Sequence, residues 1–291
     1  MLCEFSLPSS PEKKVRLKEA TVSDAIDFSG IDPDCEEQAT TVFLERVQER
    51  ETYSDPRLWT GEDRRFALFT YFVHTARDRS IPLKYTCGIC GEEHTVDIEL
   101  ARIMDTYTPI QGKAFREFVM DTYTPIQGKA FREFVHYGHN VIVHPMLGRD
   151  LELLETYRYD LRLTEEKLEN DGLTAHELRQ LTEEVRMKRV RMGIFRIMCC
   201  IDLPFLDANA SPESRRPQVE AYIKQLPAGE FGEFFQNVQE KLREMRHGLK
   251  SALIDGRIYL QIPEVRCEAV PDAPGVVLHY PFRPFSIIPT L

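Results

Sequence analysis

The chain has 291 residues, of which 42% are hydrophobic and 29% are charged, and its formal net charge is -10. This length accommodates one large hydrophobic core or two smaller ones, and the composition is typical of a folded protein rather than a disordered one. The acidic balance argues against a nucleic-acid groove, because phosphate binding requires clustered Lys and Arg. No apolar run reaches the roughly 18 residues of a membrane span, and the N-terminus lacks the pattern of a signal peptide. We therefore expect a soluble protein made in a cytosol, with neither nucleic acid nor membrane as a partner.

The first hundred residues predict a strand followed by helices. Val15 and Leu17 share one face of a strand, and the stretch from Thr21 to Asp24 has the pattern of a helix cap. Helical spacing of apolar residues predicts two further helices, over 34–50 and 62–79. His74 lies on the second of these beside an apolar stripe, and the favoured interpretation is a packed or hydrogen-bonded side chain rather than a metal ligand.

A cysteine-containing turn follows in the stretch "KYTCGICGEEHTVDIEL". The residues on either side alternate between apolar and polar, which predicts two strands joined as a hairpin. The turn itself places Cys87 and Cys90 three residues apart, and the glycine after Cys90 permits the tight bend found in metal-binding knuckles. We expect this turn to be the most informative feature of the chain.

The next segment is an exact tandem duplication. "MDTYTPIQGKAFREFV" occurs at residues 104–119 and again, without a change, at residues 120–135. Repeats that have long been part of a fold diverge, so the identity indicates either a very recent duplication or a sequencing error. Two copies of so short a segment cannot build a solenoid. We treat 104–135 as a connector.

The second half resembles a diverged copy of the first, lengthened by helices. Val141 and Val143 align without gaps on Val15 and Leu17, and Cys267 aligns on Cys87. The helical insertions are predicted over 173–200, 211–226 and 229–253. The sequence therefore predicts an α+β fold of two diverged lobes, each built as strand, helix and β-hairpin: an N-terminal lobe over 1–103 and a C-terminal lobe over 136–291 with the inserted helices and an extended C-terminal arm.

Two further clusters attract attention. The basic run from Arg186 to Arg196 is interpreted as a solvated or partner-facing side of a long helix, in preference to a phosphate site. His136, His139 and His144 form the stretch richest in histidine, for which a loop at an interface is favoured over a metal site or a pH-sensitive contact.

The order of these segments resembles the baseplate hub protein family of contractile-tailed, T-even-related bacteriophages. The resemblance covers Phe5 to Ile103 and is carried by "FSLPSS", "VRLKEATVSDAIDF", "DPRLWTGEDRRFALFTYFV" and "IPLKYTCGICGEEHTVDIEL"; the second half agrees in architecture only. It implies a virion or assembly component near the centre of the tail baseplate, made in the bacterial host cytoplasm, whose partners are other tail proteins in an oligomeric assembly. The family pattern has a cysteine pair in both hairpins, whereas this chain has Val270 where the partner of Cys267 is expected.

The cysteines allow three interpretations. A structural zinc ion requires four ligands, and the candidates beside Cys87 and Cys90 are Cys267, His94 and His279. The ligand set expected is Cys87, Cys90, Cys267 and His94, because His94 lies at the mouth of the same hairpin, whereas the strand of His279 can bring it either near or far. Without a metal, the hairpin keeps two reduced, packed cysteines. A catalytic thiol pair is disfavoured, because the motif lies between strands and not at a helix N-terminus. The total of seven cysteines is odd, which argues against a secreted disulfide framework, and Cys199 and Cys200 are expected to be buried as small apolar residues.

No nucleotide-binding, metalloprotease or serine-hydrolase motif occurs in the sequence. We therefore expect a structural protein and no enzymatic activity, acting through apolar surfaces buried against other subunits. The residues expected at such interfaces are Phe231, Phe234, Phe235, Tyr280, Phe282 and Phe285. For the C-terminal arm, an extended position on a neighbouring subunit and a return to its own core remain equally open. The alternative function is a transient assembly chaperone or zinc-hairpin adaptor that the finished particle does not retain, and a thiol-dependent enzyme is a weaker third possibility.

Overall fold

The computed structural model describes residues 1–110, 131–169, 172–206, 212–254, 257–267, 269–270, 272 and 274–289. Helices and strands are both abundant, which confirms the α+β class. In chain order the elements are β1 (Cys3–Leu7), β2 (Ser10–Leu17), α1 (Val22–Ser29), α2 (Glu36–Val47), α3 (Gly61–Thr75), β3 (Ser80–Thr86), β4 (Glu93–Glu99), α4 (Leu100–Met104), β5 (Arg132–His136), β6 (His139–Val143), α5 (Gly148–Leu168), α6 (Ala175–Met198), β7 (Ile201–Asp202), α7 (Pro212–Gln225), α8 (Ala228–Glu244), β8 (Ser251–Ile254), β9 (Arg257–Val265) and β10 (Val276–Pro281).

The chain forms two compact units. The first contains Met1–Ile110 together with His247–Leu291, and the second contains Gln111–Arg246. This division differs from the predicted lobes over 1–103 and 136–291, because the last segment of the chain belongs with the first unit. The predicted kinship of the two halves stays a prediction.

The core of the first unit is built from the strand and helices expected near the N-terminus. Val15 and Leu17 of β2 are fully buried, as are Phe43 and Leu44 of α2. The predicted stripe of Phe66, Phe69, Thr70 and Val73 on α3 faces the core, since the first three are buried and Val73 packs against the same cluster, but Leu68 and Tyr71 outside the stripe are buried as well. Aromatic packing joins these elements, with the ring of Phe43 4.9 Å from Tyr71 and 5.4 Å from Phe28 in edge-to-face geometry.

The beginning of α3 is fixed by a buried capping box. The Thr60 hydroxyl accepts a hydrogen bond from the Asp63 amide, and the Asp63 carboxylate accepts one from the Thr60 amide. The same carboxylate accepts hydrogen bonds from the amide and hydroxyl of Ser9, and His247 Nε2 lies 2.8 Å from the Thr60 hydroxyl. The first turn of α3 therefore contacts both segments of the first unit, through Ser9 in the first segment and His247 in the second.

The C-terminal segment folds back onto the core of its own unit. Its strand β10 pairs with β9, and β9 pairs with β8, which gives an antiparallel sheet in the order β10, β9, β8. Phe282 and Ile288 are buried in the same cluster as Phe43 and Trp59. Of the two positions left open for the arm, the structure therefore has the return to its own core, because these apolar side chains complete it.

In the part of the second unit that the structure describes, a three-stranded sheet is combined with four helices. Strands β5, β6 and β7 pair in that order, and β5 and β6 are joined by a tight turn in which Tyr137 and Gly138 both have positive φ, 49° and 75°. Helices α5 and α6 form an antiparallel hairpin, and α6 lies within the helix predicted over 173–200. The helix predicted over 229–253 ends instead at Glu244, with Met245 as its C-cap, and Ser251–Ile254 form strand β8.

The duplicated segment lies largely outside the described residues. The described part of the first copy, 104–110, includes the end of α4 and belongs to the first unit. The described part of the second copy, 131–135, contributes Arg132–Val135 to β5 in the second unit. The two units therefore use complementary parts of the 16-residue motif: the beginning of the first copy and the end of the second.

Candidate metal centre

The tip of the β3–β4 hairpin positions the first two candidate ligands. The last strand pair is Thr86 with Glu93, so residues 87–92 form the connecting loop. Within it the Cys87 amide donates to the Glu92 carbonyl and the Gly91 amide donates to the Cys87 carbonyl, both at 2.8 Å. Gly91 has a φ of 77°, a conformation that L side chains rarely adopt, which confirms the expected role of the glycine after Cys90.

Of the other two candidate ligands, one lies near Cys90 in the sequence and one lies far from it. His94 is the second residue of β4 and lies across from Tyr85. Cys267 follows β9 by two residues and is 177 positions from Cys90. The Cys90 sulfur is 3.0 Å from His94 Nε2 and 3.7 Å from the Cys267 sulfur, and the latter is 4.0 Å from His94 Nε2. The ligand atoms of Cys87, Cys90, His94 and Cys267 all lie within 4.8 Å of one another.

These separations fit a tetrahedral zinc site. Zinc bonds of about 2.3 Å to sulfur and about 2.0 Å to nitrogen place two sulfur ligands about 3.8 Å apart, and a sulfur and a nitrogen about 3.6 Å apart. The distances from the Cys267 sulfur agree with these values to within about half an ångström, while the shorter Cys90–His94 distance is that of a hydrogen bond. Three cysteines and one histidine are also a ligand set that structural zinc sites use. The residues present therefore fit a zinc ion.

Burial divides the ligands into two pairs. Cys87 and Cys267 are almost fully buried, with 0% and 1% of their surface exposed, whereas Cys90 and His94 are half-buried. With four protein ligands, a tetrahedral ion has no coordination position open to a substrate. The arrangement is that of a structural site, since catalytic zinc keeps one position for water or substrate.

The thiols are affected differently by their surroundings. The Cys90 and Ile89 amides, directed at the Cys87 sulfur, lower the pKa of Cys87 and favour its thiolate. The Glu92 amide acts in the same direction on Cys90, but burial and the neighbouring Cys267 and Cys87 sulfurs outweigh it and leave the pKa of Cys90 raised. A divalent cation bound here would offset the repulsion between the sulfurs, because it stabilises adjacent thiolates.

The remaining candidate residues are placed elsewhere. His279 lies on β10 opposite Gln261 with its ring against Tyr259, outside the cluster. His74 Nδ1 is 2.8 Å from the Thr70 carbonyl, which confirms a hydrogen-bonded role. Within the part of the chain that the structure describes, the cluster at Cys87 is the one group of this kind with metal-binding geometry.

The three histidines of the second unit do not converge on a common point. His136 Nδ1 lies 2.8 Å from the Tyr222 hydroxyl, and the ring of His139 stacks on Phe205 at 4.3 Å. His144 contacts the Pro145 carbonyl and is 3.8 Å from the Asp202 carboxylate. Each ring therefore has its own partner, and within the described residues the three histidines do not form a metal-binding cluster. Their role at an interface stays a prediction.

The remaining cysteines are consistent with the sequence. All seven lie in described residues and are free thiols. Cys199 and Cys200 are each 5% exposed, and burial raises the pKa of Cys199, which keeps that thiol neutral. Their predicted role as small buried residues is confirmed.

The predicted interface phenylalanines differ in exposure. Phe234 and Phe282 are buried inside the chain itself, at 0% and 8% exposed, so the expectation that they face a partner is corrected. Phe235 is 40% exposed and stacks with Phe231, which is half-buried. Tyr280 and Phe285 pack against the core of the first unit.

One buried ion pair was not predicted from the sequence. Arg216 of α7 donates to the Asp150 carboxylate of α5 at 2.6 Å, and the Asp150 side chain is only 5% exposed. The pair joins residues 66 positions apart, and no local pattern in "SPESRRPQVE" indicates which acid Arg216 contacts. Asp150 itself is recognisable only as an acidic residue in the first turn of a helix.

Comparison with known proteins adds no family assignment: no protein-family model, curated protein or solved structure matches this chain. Among the described residues, no helix is both long enough and apolar enough to cross a membrane.

Proposed function

We propose that this chain is a structural subunit of the baseplate hub of a contractile bacteriophage tail, and that a bound zinc ion stabilises its fold. The observation that carries the zinc part is the convergence of Cys87, Cys90, His94 and Cys267 within 4.8 Å. The phage part is supported by the sequence resemblance of Phe5 to Ile103. In this proposal the protein acts through contacts with other tail proteins, is made in the host cytoplasm and remains in the virion.

The placement of the ligands supports a structural role for the ion. Three ligands lie on a two-stranded hairpin that buries little of its own surface, and the fourth comes from the end of β9. An ion bound to all four fixes the hairpin to the C-terminal sheet, and the free energy of metal binding becomes free energy of folding. A subunit that transmits force through its neighbours benefits from such a fixed point.

The zinc part is tested by metal analysis of the purified full-length chain. We expect one zinc per chain in the wild type, and a large loss of zinc in Cys90→Ser and in Cys267→Ser. Cys35→Ser is the matched control, since Cys35 is half-buried and outside the cluster. Zinc retained in both ligand variants overturns the assignment. Cys90 is half-buried, so its replacement also keeps the test valid if the Cys267 variant does not fold.

The phage part is tested separately by quantitative mass spectrometry of purified particles. A hub subunit is expected in a fixed ratio to the other baseplate proteins. Presence of the chain in infected cells together with its absence from purified particles supports the assembly chaperone instead. These outcomes do not depend on the metal content, so the two parts of the proposal can fail independently.

A further inference from the structure

Helix α6 carries two apolar faces, and only one of them is used within the hairpin. On the first face, Val185 and Phe195 are buried, and Lys188 contacts Asp160 of α5. On the other, Met187 is 44% exposed, Val190 is 50% exposed and Ile194 is half-buried. At 3.6 residues per turn, Met187, Val190 and Ile194 follow the i, i+3, i+7 spacing of a continuous seam that lies away from α5.

Such a seam differs from scattered apolar surface residues. Single exposed apolar side chains are common on folded proteins, but three at helical spacing repeat the a and d positions of a coiled coil. The seam therefore offers an apolar stripe of the kind that packs against another helix.

The charges beside the seam indicate what kind of helix fits. Arg186 and Arg191 border it on its two sides, at the positions that flank a and d in a heptad. Arg191 is exposed and makes no ion pair or hydrogen bond within the described part of the chain. Among the described residues, Arg186 pairs with Glu183 of its own helix at 3.5 Å, and 75% of its side chain is exposed.

The other basic residues of the run are used differently. Lys188 binds Asp160, Glu184 and Thr164, and Arg189 binds Glu165 of α5 at 2.6 Å. The basic run is therefore divided between two roles. Lys188 and Arg189 bind acidic residues of α5, whereas Arg186 and Arg191 border the exposed seam.

From these observations we propose that the seam formed by Met187, Val190 and Ile194 is a docking site for an amphipathic helix of another protein, with acidic residues beside its apolar stripe. Apolar contacts along the seam supply affinity, while Asp or Glu opposite Arg186 and Arg191 set orientation and exclude basic helices. Pairing of this seam with the same seam of a second copy brings arginines together, and like charges across a helical interface oppose association. The site is separate from the metal centre and does not depend on the zinc assignment.

The test uses the full-length chain and two designed helical peptides. Both peptides have Leu and Ile at the a and d positions; one has Glu at the flanking positions and the other has Lys. In fluorescence anisotropy titrations we expect the Glu peptide to bind at least about tenfold more tightly than the Lys peptide, with an affinity that decreases as salt is added.

Variants on both sides of the same helix locate the binding site. Val190→Glu and Arg191→Glu are expected to weaken binding of the Glu peptide by about tenfold or more. Leu178→Glu and Arg196→Glu are matched controls, because both residues are exposed and each lies nine positions from Met187, on the opposite side of α6. Both controls are expected to bind like the wild type.

Three outcomes overturn the proposal. The first is equal binding of the two peptides, or of neither. The second is an equal effect of the seam and control variants. The third is self-association of the chain, measured by light scattering, that Val190→Glu abolishes, since the occupant of the seam is then a second copy.

Discussion

The β3–β4 hairpin and the α5–α6 hairpin both bury few side chains, and different kinds of interaction are available to stabilise them. In the β3–β4 hairpin, Ile98 is the one strand residue that is fully buried. Its tip carries a cluster of candidate metal ligands that includes Cys267 from far along the chain, and in the proposed function a zinc ion bound there holds the hairpin in place. The α5–α6 hairpin also buries few side chains, but two ion pairs connect its helices near the middle of α6, between Lys188 and Asp160 and between Arg189 and Glu165, and Leu154 packs with Phe195 in a small buried cluster.

The difference concerns how stabilisation is distributed. A metal bound by four ligands concentrates a large free energy at one point, so its loss affects the whole hairpin at once. Exposed ion pairs each contribute little, and the loss of one leaves the others in place. We therefore expect loss of the metal to destabilise the whole β-hairpin at once. Loss of single ion pairs should destabilise the helical hairpin in small steps.

Removal of the metal is expected to have the largest effect. A chelator that strips zinc from the full chain should lower the stability of the first unit by at least about 3 kcal/mol, since the binding free energy is lost from the folded state. Hydrogen exchange should increase in residues 80–99 and 257–267 while residues 148–198 keep their protection. Cys90→Ser should reproduce this pattern without chelator. Unchanged exchange in the β-hairpin, or a uniform increase over both hairpins, contradicts the comparison.

The next effect is expected at the base of the helical hairpin. Asp150→Asn removes the charge that Arg216 contacts at 2.6 Å, and breaking a buried ion pair from one side is costly. We expect a loss of about 2–3 kcal/mol in chemical denaturation, less than for a fully buried pair because 28% of the Arg216 side chain is exposed. Glu165→Gln is the exposed control. If the free energy of unfolding falls by the same amount in both variants, burial does not distinguish the energies of these ion pairs.

A smaller effect is expected at the beginning of α6. The Thr174 hydroxyl accepts from the Glu177 amide, and the Glu177 carboxylate accepts from the amide and hydroxyl of Thr174. Thr174→Ala should therefore cost about 1 kcal/mol, the usual value for a helix cap. Amide exchange in the first turn of α6 should report this loss, and exchange in the last turn should not change.

The same cap predicts a dependence on pH. The hydrogen bonds from the hydroxyl and the amide of Thr174 lower the pKa of Glu177 in the folded state. Its contribution is therefore present above the unfolded-state pKa of about 4.3 and is lost as the pH falls through the lower folded value. The first turn of α6 should fray in that acidic range in the wild type, whereas the pH response should be weaker in Thr174→Ala. Identical pH profiles in the two proteins are inconsistent with this cap.

The smallest effect is expected from a single exposed ion pair. Arg189→Gln removes the contact with Glu165, and the arginine side chain is 63% exposed. The loss should be below about 1 kcal/mol and should disappear in high salt, since screening removes most of the attraction. A loss larger than that of Asp150→Asn means that the ion pairs of this hairpin act as a connected network.

Local patterns predicted much of the fold and most of the site. Alternating residues on either side of a C-x-x-C turn predict the hairpin, and the apolar spacing of α3 predicts its buried side, because both depend on neighbours in the chain. The metal cluster was foreseen as a set of candidates that included His94 and Cys267. The sequence favoured His94 over His279, because His94 follows Cys90 at the mouth of the same hairpin, and the structure brings together the same four residues. It could not place His279, since the position of that residue depends on how β9 and β10 pair with each other.

The features that were missed depend on contacts between distant residues. Phe234 and Phe235 are adjacent and chemically identical, yet the first is buried and the second is 40% exposed, because the orientation of α8 against β5 decides which of them is covered. The contact of Arg216 with Asp150 and the return of Phe282 to the core are set by tertiary packing in the same way. Composition and periodicity contain no information on these pairings.

The most direct test of the metal centre is X-ray absorption spectroscopy at the zinc edge of the purified full-length chain, with Cys267→Ser as its comparison. We expect three sulfur neighbours at about 2.3 Å and one nitrogen at about 2.0 Å in the wild type. In the variant we expect the loss of one sulfur neighbour, or of the zinc itself. A wild-type spectrum with two sulfur neighbours that Cys267→Ser leaves unchanged contradicts the account, because Cys267 then does not join the hairpin to the C-terminal segment through the metal.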